Sequence, residues 1–165
     1  MDLSARRAAL AAVWADRMPI TTALGITVTR LDHESLTLQL PLAPNRNHKG
    51  TAFAGSLSAL ATLAGWSAVW LLLAEAAEEA HVVIQDASVR YLAPARSDTT
   101  ATVQFPAAST WDKALATLRR RGRARLGLVV EVHDAHGSPV AAFAGRYVMH
   151  RGADEAEETL ATVVP

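Results

Sequence analysis

Cysteine is absent from the 165 residues, which excludes disulfides, thiolate nucleophiles and thiolate metal sites together. Net charge is absent as well, with 16 basic and 16 acidic residues. The field of the whole molecule therefore draws in neither nucleic acid nor an anionic membrane, and neither is expected as a partner. The amino-terminal run shows no clear cleavage site. Asp2 and Asp16 flank an alanine-rich stretch carrying Arg6 and Arg7, which reads as an amphipathic helix and points to the cytoplasm. Repeats and linkers are missing, so one domain is expected, large enough to bury a core unaided. His133 and His136 are isolated from other ligand types, and neither a metal nor a cofactor is expected.

What the chain has instead is one apolar run. From Gly50 to Ala74 no residue is charged. The run is long enough to cross a bilayer, yet it is rich in Ala, Ser, Thr and Gly, its flanks lack the basic cytoplasmic bias of membrane helices, and it has no second of its kind. A helix apolar on every side must be buried on every side. The spacing predicts a core helix wrapped by other elements, entered through the polar, glycine-punctuated loop Asn45, Asn47, His48, Lys49, Gly50, Thr51.

The rest alternates. Residues 3–18 read as a helix ending before Pro19, with Leu3, Leu10, Val13 and Trp14 at helical spacing. Strands are predicted over 26–31, 35–40, 81–92, 99–105, 123–133 and 140–149, the third with an uneven pattern because Gln85, Asp86, Ser88 and Arg90 interrupt its apolar residues. Thr110 is placed as the N-cap of a short helix reaching Arg120. Two strands, a long buried helix, then four strands and a minor helix describe an α+β chain. The hotdog fold, a curved antiparallel sheet around one long central helix, satisfies that order. It is assigned to residues 1–150, with 151–165 as an acidic tail.

Chemistry has one dense address. Free N–H groups at a helix start, reinforced by the macrodipole, stabilise negative charge on a bound oxygen. An Asn47 amide beside them, with Gly50 and Gly55 permitting close approach, suits the oxyanion of thioester chemistry. The same residue types also suit a plain turn and N-cap, and on residue types alone both readings stand. Arg119, Arg120, Arg121, Arg123 and Arg125 make a basic run. It suits coenzyme A phosphates or the acidic helix of acyl carrier protein, or simply a solvated helix end.

Asn47-x-x-Gly50-x-x-Phe53-Ala54-Gly55, followed by Leu60 and position 62, resembles the hotdog thioesterase motif N-x-x-G-x-x-H-G-G-x-x-x-x-L-x-D. With Asp86-Ala-Ser-Val-Arg-Tyr-Leu-Ala-Pro94, Gly122-Arg-Ala-Arg-Leu126 and Phe143-Ala-Gly-Arg-Tyr147, the chain is similar to a thioesterase-like family found alone or fused behind an acetyltransferase-like domain. The resemblance implies a homodimer acting on acyl-CoA or acyl-ACP thioesters in fatty acid metabolism. Asn47 and the amide of Gly55 would hold the carbonyl, while Asn45, His48, Lys49, Gly50, Thr51, Phe53, Arg121 and Arg123 would bind substrate. Two departures stand out: Phe53 replaces the usual His, and Thr62 the usual helix acid. Asp86 and His48 are the nearby substitutes for a base. The alternatives are a decarboxylase of malonyl thioesters using the same oxyanion site, and a binding module without turnover.

Overall fold

A computed structural model describes residues 2–152; the acidic tail expected over 151–165 lies, beyond Gly152, outside the described residues. Helix α1 (Leu3–Arg17) is capped by the Asp2 carboxylate, which accepts from the Ser4 N–H. Helix α1 ends before Pro19, as expected, but Pro19 does not lead straight into a strand. It starts a second helix, α2 (Pro19–Leu24), because a first-turn position needs no N–H from proline. Strands β1 (Thr27–Leu31) and β2 (Ser35–Leu40) follow, then the central helix α3 (Ala54–Glu75) and β3 (His81–Tyr91). The chain closes with β4 (Thr99–Gln104), α4 (Ala108–Arg121), β5 (Arg123–Asp134) and β6 (Pro139–His150). Helix α4 begins two residues before the expected cap. Ala107 stands at its N-cap without a side-chain bond, and Thr110 lies inside the first turn.

All six strands form one antiparallel sheet in the order β1-β2-β4-β5-β6-β3. Alternation sets the inner face. Leu36, Leu38 and Leu40 of β2, Ala101 and Val103 of β4, and Leu126, Leu128, Val130 and Val132 of β5 are buried and join the side chains of α3 in one core. The architecture is the α+β hotdog arrangement. Helix α3 is long and apolar enough to cross a membrane by length and composition, and most of it is buried inside the fold. Small residues let the sheet close on it. At Gly65 an added Cβ would fall 2.5 Å from Cζ and 2.7 Å from Cε2 of Tyr147, whose hydroxyl donates to the Thr62 carbonyl at 2.9 Å. Helix α1 covers one end of this core with Leu10 and Trp14, and its buried Arg6 reaches Glu75 at 3.2 Å.

Strand β3 differs from the others. It forms one edge of the sheet, and Val83, Ile84 and Tyr91 are exposed. Between Ile84 and Asp86 its register against β6 slips by one residue, so Gln85 is an extra residue in a β-bulge. Before the bulge Val82 and Ile84 sit opposite the buried Met149 and Tyr147; after it Ala87, Val89 and Tyr91 sit opposite the buried Gly145, Phe143 and Ala141. This is why the sequence pattern of the strand reads unevenly.

Candidate active site

The loop before α3 is a small hairpin. Phe53 N–H donates to the Asn45 carbonyl at 2.7 Å, Asn47 N–H to the Thr51 carbonyl at 2.8 Å, and Gly50 N–H to the Asn47 carbonyl at 3.0 Å. Gly50 closes the turn at φ +75°, a conformation open to glycine. The Asn47 side chain ties the hairpin together. Its Oδ1 accepts from the N–H groups of Lys49 and Thr51, and its Nδ2 donates to Thr51 Oγ1 at 2.9 Å and to the Ala52 carbonyl at 3.3 Å. Asn45 is buried and donates to the carbonyls of Leu24 and Pro41, both at 2.8 Å, anchoring the loop to α2 and the end of β2. Thr51 is buried beneath the loop, while His48 and Lys49 are exposed at its tip.

The hairpin delivers the chain to α3 with its first donors free. Ser56 and Leu57 N–H groups both donate to the Phe53 carbonyl, whereas the N–H groups of Ala54 and Gly55 meet no acceptor among the described residues. Both residues are exposed. The Phe53 ring lies directly over Gly55, where a Cβ would stand 3.1 Å from its Cδ1. From the other side Tyr91, at the end of β3, donates its hydroxyl to the Ala54 carbonyl at 3.0 Å. Sequence reasoning missed Tyr91, because only the bulge at Gln85 turns it toward the helix. The local chemistry is clear: two unpaired donors at the positive end of a 22-residue helix can stabilise charge on a carbonyl oxygen.

The remaining residues named from the sequence are spread out. Thr62 is half-buried on α3, about 10 Å along the axis from Gly55 at the ordinary helical rise. Asp86 pairs across the sheet with Arg146, 3.1 Å away, and both are more than half exposed. Arg146 alternates with the buried Gly145 and Tyr147, so this ion pair occupies the outer face of the sheet, opposite α3. Among the described residues, no carboxylate side chain hydrogen-bonds to the loop from Asn45 to Phe53 or to the first turns of α3. Arg121 ends α4 and Arg123 begins β5, opposite His150, which is also opposite His81. Tyr91 lies at the other end of the sheet, opposite Ala141 and, beyond it, Val132. Nine residues of strand, about 30 Å, thus separate these arginines from the helix start within one chain.

The family described as "Putative thioesterase (yiiD_Cterm)" matches residues 7–151 of the chain. A protein of unknown function from Chlorobaculum tepidum is similar at 27% identity and a TM-score of 0.85, over 88% of this chain and 94% of that one. A "putative thioesterase" from Shewanella oneidensis is 32% identical with a TM-score of 0.81, over 90% of this chain and 99% of its own. The Escherichia coli PaaI protein, from an operon of phenylacetic acid degradation, shares the fold at 19% identity and a TM-score of 0.65, over 92% and 97%.

Proposed function

The chain belongs to the yiiD C-terminal thioesterase family, and we propose that it hydrolyses acyl thioesters carried by coenzyme A or acyl carrier protein, as a cytoplasmic homodimer. The observation that carries this reading is the pair of unpaired N–H groups of Ala54 and Gly55 at the start of α3. A thioester carbonyl placed on them gains charge stabilisation as water adds to its carbon, and collapse of the adduct expels the thiol. Asn47 contributes by holding the loop, since its own amide donors are engaged within it. Phe53 and Tyr91 border the entrance for the acyl chain. Antiparallel pairing of two β3 edges about a two-fold axis would set the Tyr91 end of one chain beside the His81 end of its copy. The Arg121 and Arg123 of that copy then lie near this helix start and can receive the phosphates of the carrier.

One observation favours a second reading. Asp86 faces away from α3 in its ion pair with Arg146, and Thr62 is neutral. A general base contributes about 10² to 10⁴ in rate, and decarboxylation of a malonyl thioester needs none, because carbon dioxide leaves and the enolate oxygen takes up the charge on the same two donors. The experiment compares straight-chain acyl and malonyl thioesters on both carriers, following free thiol and carbon dioxide by mass spectrometry. Thiol release from acyl chains supports hydrolysis. Carbon dioxide release without free thiol replaces it with decarboxylation. Saturable binding with every thioester intact leaves a binding module.

A further inference from the structure

One row across the sheet carries polar atoms left without partners. Arg123 at the start of β5, His150 at the end of β6 and His81 at the start of β3 sit opposite one another on three adjacent strands. Their neighbours Ala124 and Met149 are buried in the core, so by alternation the row faces the outer side of the sheet. His150 is nonetheless buried, only 9% exposed, and the His81 ring stacks on it with 5.2 Å between centroids. Its Nδ1 and the Nε of Arg123 are both buried and meet no partner among the described residues. A buried polar atom without a partner is costly, and here two neighbours in one row share the same lack.

We propose that Arg123, His150 and His81 form a binding site for a phosphate dianion. The donor set chooses the ligand. A guanidinium keeps its charge and only donates, and each imidazole adds a ring N–H, so the row suits an anion, while the fixed charge disfavours a metal cation. Neighbouring strands lie about 4.8 Å apart, so side chains from three strands approach one group from three directions. A phosphate monoester has three free acceptor oxygens to meet them, a carboxylate two. The surroundings agree. Arg119, Arg120 and Arg121 end α4 just before Arg123, and Arg151 follows His150. Of the acids closest along the chain, Glu78 accepts from Arg119 and Arg151, which hold its carboxyl below the usual range. Asp86 is paired with Arg146, and Glu79 is exposed. Where the phosphate is that of the carrier, the site extends the reading proposed above and rests on it; as a phosphate site it stands without it.

The test needs no variant to begin. The ring protons of the six histidines are followed by NMR while inorganic phosphate is added to the full-length chain at fixed ionic strength. His81 and His150 should shift together and saturably, with His33, His133 and His136 unmoved. Arg123→Gln should weaken that binding at least about tenfold, the worth of a lost charge-assisted bond. Coenzyme A and its 3′-dephospho form then separate the sources. Tighter binding at the same rings that is lost with the 3′-phosphate identifies the carrier, and binding no tighter than that of inorganic phosphate identifies free phosphate. Silent rings, or the same response when chloride replaces phosphate, overturn the proposal. Thioester turnover is measured separately. Turnover with silent rings removes the phosphate site alone, whereas responding rings without turnover remove the hydrolase and keep the site.

Discussion

Asn47 engages both polar atoms of its side chain inside the loop, two bonds accepted and two donated. Removing them should cost about 1–2 kcal/mol of stability and release the helix start as well. Asn47→Ala is therefore expected to lower the unfolding midpoint and to cut turnover at least about 10²-fold, the scale of a lost oxyanion arrangement. An unchanged melting curve with turnover lost would return Asn47 to direct contact with the thioester carbonyl. Tyr91 acts on the same atoms from outside. Its hydroxyl orients the first peptide unit of α3, so Tyr91→Phe should lower kcat several-fold on the best thioester while KM and the melting temperature hold. A change confined to KM would make Tyr91 a lining residue only.

Among the elements, α3 and β6 meet tightly at Gly65, where an added Cβ would run into the Tyr147 ring. Tyr147 is fully buried and tied to the Thr62 carbonyl, so it has nowhere to withdraw. Gly65→Ala should destabilise the fold by about 1–3 kcal/mol, as overpacking does, despite the gain in helix propensity; chemical denaturation measures it, and a stabilised variant would refute the packing argument. The turn from β1 to β2 gives an acid dependence. The N–H groups of Glu34 and Ser35, then Arg30, hold the Asp32 carboxyl at about 2, below its usual 3.8. Because the folded value is depressed, its stabilisation is whole above 3.8 and is lost as pH falls toward 2. Asp32→Asn should flatten that part of the curve of unfolding midpoint against pH, and an unaltered curve would show that the turn does not carry it. Much of this level was legible in the chain: the uniform apolarity of α3 and the alternation of β2 and β5 have strict periods. Asp86 was harder to place. An inserted residue shifts the period of β3, so its outward face could not be counted from the sequence. Nor does composition say that the donors of Asn47 turn inward, or that Arg121 and Arg123 lie at the far end of the sheet.

For the whole molecule, the open edge at β3 is the governing fact. Val83, Ile84, Tyr91 and Leu92 leave it apolar and exposed, a condition that isolated chains avoid. Light scattering at micromolar concentration should give twice the 17.6 kDa of one chain, and hydrogen exchange should find residues 82–91 protected. A monomer with rapid exchange there would count against both the β3 pairing and a site shared across it. The same strand shows how much hangs on a single count. Strand side chains take sides by odd and even number, and Gln85 changes the parity midway. Were Gln85 to take an ordinary place in the ladder, Ala87 and Val89 would trade places with Ser88 and Arg90, and the phenol of Tyr91 would leave α3 for solvent. The hydroxyl at the helix start is thus set by arithmetic along the chain: deleting Gln85 would straighten the strand and leave every later pairing in place, whereas one residue inserted after Asp86 in regular pairing would turn it away.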